Sequence, residues 1–162
     1  MSTIILPVQS AKLPSLNPSR IEGAQKRWYL LFDDTIDQSC QWQFRMPNDY
    51  VSSFTAKLQF SMADTQTGIN KVKFSVSVMA VTPEDAVDIE TDSFDGENTG
   101  VKTLDNNQVA GYLKELSIPL TNADNVVAGD LVIIKIVRDA DDVVDDTAIG
   151  DAELCAISLE YS

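Results

Sequence analysis

The sequence predicts an all-β protein built as an antiparallel β-sandwich, and three observations carry that expectation. Apolar and polar residues alternate with a period of two over long stretches, strand-like runs follow one another at short intervals, and helix-like spacing is scarce. The longest alternation sets Phe54, Ala56, Leu58, Phe60 and Met62 against Thr55, Lys57, Gln59 and Ser61. After Asp64-Thr65-Gln66-Thr67-Gly68 it resumes, with Val72, Phe74, Val76, Val78 and Ala80 against Lys71, Lys73, Ser75 and Ser77. Two such runs around a short glycine-containing loop predict a β-hairpin, 53–64 with 69–81, in the core of the fold.

The remaining elements follow in chain order. Trp28 to Phe32 is an aromatic and aliphatic run that ends at Asp33-Asp34. In the next, Trp42, Phe44 and Met46 alternate with Gln41, Gln43 and Arg45 until Pro47 stops the strand. Beyond the predicted hairpin, Pro83 to Ile89 suits one short helical turn, with Glu84 and Asp85 near its N-terminus. Leu116, Ile118 and Leu120 alternate again, and Pro119 on the opposite face marks an edge strand or a bulge. Gly129-Asp130 opens Leu131 to Val137, apolar on both faces apart from Lys135. Cys155, Ile157, Leu159 and Tyr161 alternate with Ala156, Ser158 and Glu160 to the C-terminus. About seven or eight strands in about 135 residues point to a sandwich of jelly-roll type.

Residues 1–27 read differently. Pro7, Pro14 and Pro18 are half of the 6 prolines, and Leu6, Val8, Leu13, Leu16 and Ile21 follow neither a helical nor a strand period. Lys12, Arg20, Lys26 and Arg27 against the single Glu22 give this segment +3, which leaves −16 on the rest of a chain of net charge −13. The expectation is an extended N-terminal arm, 1–27, ahead of a jelly-roll β-sandwich domain, 28–162. An arm without a core of its own is suited to strap onto a neighbouring copy. The strand 131–137 needs a cover for its second face, from the arm, a long loop or a second subunit. Leu6, Val8, Leu13, Leu16, Ile21, Leu131, Ile133 and Val137 are therefore the candidate assembly contacts of a homo-oligomer.

Composition excludes more functions than it suggests. The 162 residues, 44% of them hydrophobic, are enough for one core. A charge of −13 opposes nucleic acid or an anionic membrane surface as partner. The absence of histidine removes Ser-His-Asp and Cys-His catalysis and His-ligated zinc. No GxGxxG or GxxxxGK[ST] pattern cradles phosphate. The expectation is a protein that is not an enzyme and uses no cofactor, with no catalytic or obligate metal residues. Cys40 and Cys155 form no CxxC pattern and read as buried free thiols. No run is long enough to cross a membrane and Ile4 to Leu6 is too short for a signal-peptide core, so the expectation is a soluble chain made in the cytosol.

Two acidic segments are candidates for a hard cation. One runs from Glu84 through Asp85, Asp88, Glu90, Asp92 and Asp95 to Glu97; the other holds Asp139, Asp141, Asp142, Asp145, Asp146 and Asp151. Neither matches the D-x-[DN]-x-[DN]-G calcium loop, since Val143 follows Asp139 and Asp141 at the next alternate position. Solvated loops that keep the protein soluble are the plainer reading, with weak calcium binding at 139–151 as the alternative. Trp28, Tyr29 and Trp42 offer a sugar-stacking platform or core packing, and their apolar, alternating surroundings favour the core.

Trp28-Tyr29-Leu30-Leu31-Phe32-Asp33 with Trp42-Gln43-Phe44-Arg45-Met46-Pro47-Asn48-Asp49-Tyr50 resembles the start of small virion structural proteins of tailed bacteriophages. The ending is similar too, in Gly129-Asp130-Leu131-Val132, Arg138-Asp139-Ala140, Asp151-Ala152-Glu153-Leu154 and Leu159-Glu160-Tyr161. The resemblance covers 28–162. It implies a jelly-roll subunit, trimeric, located in the virion, that decorates the phage head and binds the major capsid protein. The alternatives are another virion part, such as a tail, baseplate or head-fibre subunit, and a carbohydrate-binding jelly-roll module. Exposed aromatic residues at loop tips would favour the carbohydrate-binding module; this chain puts few there, with Phe94 the clearest.

Overall fold

Each alternating run forms a strand, because alternation buries one face of an extended chain and leaves the other to water. The computed structural model describes residues 1–162. It contains β1 (Ser2–Leu6), β2 (Arg20–Gly23), β3 (Trp28–Phe32), β4 (Gln38–Arg45) and β5 (Phe54–Met62). These are followed by β6 (Lys71–Val81), β7 (Asn98–Thr103), β8 (Lys114–Pro119), β9 (Leu131–Arg138) and β10 (Ala152–Tyr161). One sheet has the order β2-β3-β10-β5-β8, with β1 also paired to β10; the other has the order β4-β9-β6-β7. Every strand pairing is antiparallel. The fold is a β-sandwich of jelly-roll type.

The predicted hairpin is not formed, although both of its strands are. β5 pairs with β10 and β8, whereas β6 pairs with β9 and β7 in the opposite sheet. Alternation reports that a strand is half-buried and says nothing about its neighbour, and the eight residues from Ala63 to Asn70 are long enough to cross between layers. The two strands meet through their side chains instead. The Phe60 and Phe74 rings lie 5.5 Å apart, and Phe32 meets Phe74 edge-on at 5.6 Å. At the open side of the sandwich, Gly100 of β7 has no room for a side chain, because a Cβ there would come within 2.6 Å of Ile118 on β8. The edge position read for Pro119 is correct, since β8 ends its sheet. Pro83 to Ile89 forms successive turns rather than a helix, one of them closed by Asp85 N–H donating to Thr82 O.

Residues 1–27 are extended but lie on their own body. β1 pairs with the second half of β10, on the edge whose first half pairs with β3. A 3-10 turn at Val8–Ser10 then carries the chain across to β4. There Lys12 N–H donates to Gln41 O at 2.7 Å, and Ser39 N–H donates to Asn17 O at 3.1 Å. The chain returns to the first sheet as β2, paired with β3. The segment thus closes the edge of β4 that would otherwise present unpaired backbone. Leu6 and Val8 are buried in this chain's core, so they are not available to a partner as assembly contacts.

Candidate ligand-binding face

The outer surface of β4 and β9 is the best-defined concavity. Antiparallel partners project to the same side, so register assigns its rows. Lys12 pairs with Gln41, Gln41 with Lys135, and Lys135 with Ser77. The next row holds Gln43, Ile133 and Met79, and the one beyond it Arg45, Leu131 and Val81. Ser10, Lys12, Gln41, Gln43 and Ile133, with the edge of Trp42, line a groove of about 340 Å³ here. Two other depressions are more open: one of about 520 Å³ beside Tyr50 and Phe54, and one of about 350 Å³ beside Trp28 and Cys155.

The second face of β9 has a cover, and it belongs to the same chain. Ser75, Ser77 and Met79 of β6 alternate outward yet are buried. The loop 82–97 lies on this side: Asp95 N–H donates to Val78 O at 2.8 Å, and Lys135 Nζ sits 4.8 Å from the centre of the Phe94 ring. The loop therefore borders this face at Lys135, while Ser10 and Lys12 line the groove on the β4 side. Leu131, Ile133 and Val137 are half-buried between them. Of the other candidate assembly contacts, Ile21 is half-buried against the core, Leu13 is exposed, and Leu16 is the most open, at 77% of its surface.

The aromatic residues divide against expectation. Trp42 is in the core, with its indole N–H donating to Pro7 O at 2.9 Å. Trp28 is 56% exposed at the start of β3 and is not a core residue. Its position follows the inward alternation of Leu30 and Phe32, but it lies at the end of the strand, where β2 places only Gly23 beside it. Tyr29 is half-buried under Arg27. Phe94, the loop-tip aromatic, is half-buried over Lys135.

The acidic segment 139–151 is pinned rather than solvated. Lys73 Nζ reaches Asp139 and Asp142, both at 2.6 Å, and Lys71 Nζ reaches Asp145 at 3.1 Å. Arg138 is fully buried and donates from Nε and Nη2 to the two oxygens of Asp146 at 3.0 and 2.9 Å. It also donates from Nη1 to Phe32 O and Gly150 O, which ties the two sheets together. Carboxylates remain close in two places, Asp37 with Asp139 and Asp141, and Asp33 with Asp34 and Asp151. The charge of Asp37 pushes the Asp141 carboxyl up, and burial followed by Asp33 and Asp34 pushes Asp151 up. These are the oxygens a hard cation would use.

Cys40 is a buried free thiol, raised by burial, while Cys155 is free and only half-buried. Cys155 is the extra residue where the β10–β5 register shifts between Leu154 and Ala156. No helix is long and apolar enough to cross a membrane.

No protein-family model and no curated protein matches the sequence. Among solved structures, the chain is similar to the CBM22-1–GH10 modules of Clostridium thermocellum endo-1,4-β-D-xylanase 10B complexed with xylohexaose, with a TM-score of 0.51 and 13% identity. That match covers 99% of this chain and 28% of the xylanase chain, so the protein spans under a third of that structure. The CBM22-2 xylan-binding domain of Paenibacillus barcinonensis Xyn10C gives a TM-score of 0.49 at 9% identity, over 96% of this chain and 93% of that one. The low-affinity xylan-binding module CBM86 of Roseburia intestinalis gives 0.45 at 15%, over 100% and 97%. These are carbohydrate-binding modules and not virion proteins. At such identities the likeness is one of fold: the chain is a jelly-roll β-sandwich of the kind that carbohydrate-binding modules share.

Proposed function

We propose that this protein binds carbohydrate, without turning it over, on the outer face of β4 and β9. The groove itself carries the reading. Gln41 and Gln43 project from alternate positions of β4 above the apolar Ile133, in a concavity at the small end of the range for ligand sites. A sugar ring offers hydroxyls at its rim and C–H groups on its faces. A primary amide both donates and accepts hydrogen bonds, so it suits the rim, while Ile133 suits the face. The fold shared with a structure holding xylohexaose supports the same reading.

The test is retention on polysaccharides. The folded protein is passed over insoluble cellulose, xylan and pectin and run in gels containing soluble β-glucans. Retention on at least one is expected, and Gln41→Ala with Gln43→Ala weakens it at least tenfold without moving the melting temperature. Failure to bind any of them overturns the proposal. A second reading, a trimer on a phage head, is favoured by the exposed apolar side chains of Ile5, Leu16 and Trp28 around the N-terminal segment. Co-sedimentation with empty capsids of the phage, alongside the glycan panel, separates the two.

A further inference from the structure

We infer that the saccharide is an acidic one, read by Lys12 and Lys135; this rests on the carbohydrate reading above. The chain carries 25 acidic and 12 basic residues, so a lysine without a carboxylate partner is conspicuous. Lys57, Lys71, Lys73 and Lys114 are paired, whereas Lys12, Lys26, Lys102 and Lys135 are not, and of these four only Lys12 and Lys135 share a row with Gln41. These two flank Gln41 in a single row across three adjacent strand segments, at about 10 Å from backbone to backbone for two strand spacings. All three side chains project to the same face of the sheet, where Lys12 and Gln41 line the groove and Lys135 stands beside it under Phe94.

The same face excludes negative charge. The outward positions of β4 and β9 are Ser39, Gln41, Gln43, Arg45, Leu131, Ile133, Lys135 and Val137, without a single carboxylate. The acidic loop 82–97 borders this face, but Asp95 directs its carboxylate to the backbone N–H groups of Asp124 and Gly96. The Phe94 ring of this loop lies over the Lys135 ammonium. Two ammonium groups with no internal counter-ion complement carboxylate or sulfate groups on a chain lying along the groove. At physiological ionic strength, screening over about 8 Å leaves this pair dominant over the distant acids of the body.

Titration calorimetry on the full chain with hexagalacturonate, xylohexaose and a sulfated carrageenan hexasaccharide tests the inference. Hexagalacturonate is expected to bind at least tenfold more tightly than xylohexaose. Lys12→Gln and Lys135→Gln each weaken the acidic ligand about tenfold and the neutral one at most twofold, while Lys12→Arg restores binding of the acidic ligand. Preference for the carrageenan would support an anionic ligand and identify sulfate as its charged group. Equal binding of the neutral sugar, lost in Gln43→Ala but not in the lysine variants, overturns the inference and leaves the carbohydrate reading intact. No binding of any of the three overturns the inference, and the polysaccharide panel then decides the wider reading separately.

Discussion

The two acidic loops have similar charge and opposite architectures. Segment 82–97 has seven carboxylates, from Glu84 to Glu97, and none is paired with a lysine or arginine. It is held by local turns around Asp88 and by Asp95. Segment 139–151 has six, and four are bound by cations projecting from β6 and β9. Composition is nearly the same. The difference lies in what the neighbouring strand ends supply, and it decides which loop is part of the folded core and which only borders the groove.

The largest effect separating them should come from the buried pair. Asp146→Ala leaves the Arg138 guanidinium buried without its carboxylate and should cost about 3–5 kcal/mol in urea unfolding. Glu90→Ala, in the other loop, should stay within about 0.5 kcal/mol. Equal costs would erase the distinction. Gly150→Ala comes next, at about 1–3 kcal/mol. Its φ is +79°, and a Cβ would collide with the Asp64 side chain. Lys73→Met should lower the melting temperature by about 2–4 °C, because the side chain is mostly buried and bridges two carboxylates. Lys71→Met removes a pair that is about 40% exposed on both sides and should not move it measurably.

The strands were legible and their partners were not. Period-two patterning identified β4, β5, β6, β8 and β10, and apolar runs identified β3 and β9. It missed β1, a five-residue strand cut short by Pro7, and β2 and β7, which carry glycine and charge instead of alternation. It also joined β5 to β6, since sheet assignment depends on loop span and on the rest of the chain. In the groove, Gln41 and Gln43 were legible as the outward face of their strand and Ile133 as a candidate assembly contact, none of them as ligand-binding residues. Lys12 was not legible, because its neighbour is set by a bridge to a residue 29 positions further on. Lys73 looked like a solvent-facing lysine for a related reason: its partners lie 66 and 69 residues away.

Acid titration gives the smallest effect and the sharpest comparison. Hydrogen bonds from Lys73, and then from the backbone N–H groups of Asp145 and Val144, hold the Asp142 carboxyl at about 2, below its ordinary 3.8. A lowered carboxyl stabilises the fold fully above its unfolded value and loses that contribution as pH falls from 3.8 towards 2. Lys73 itself is raised, so its share persists up to its ordinary 10.5 and disappears only above it. Asp141 and Asp151 have the opposite sign: raised in the fold, they bind protons earlier there than in the unfolded chain, and mild acid stabilises through them. Wild-type melting temperature should therefore rise slightly on acidification from neutral pH, helped by falling net charge, and then drop below about pH 4. In Lys73→Met the early rise should remain, because Asp37, Asp33 and Asp34 are untouched, and the later drop should shrink. The gap between the two proteins should be flat from pH 5 to 10 and close between 3.8 and 2. A gap that stays constant down to pH 2 would mean that Lys73 supports the loop by packing its stem, and the electrostatic contrast between the two acidic loops would then rest on Arg138 alone.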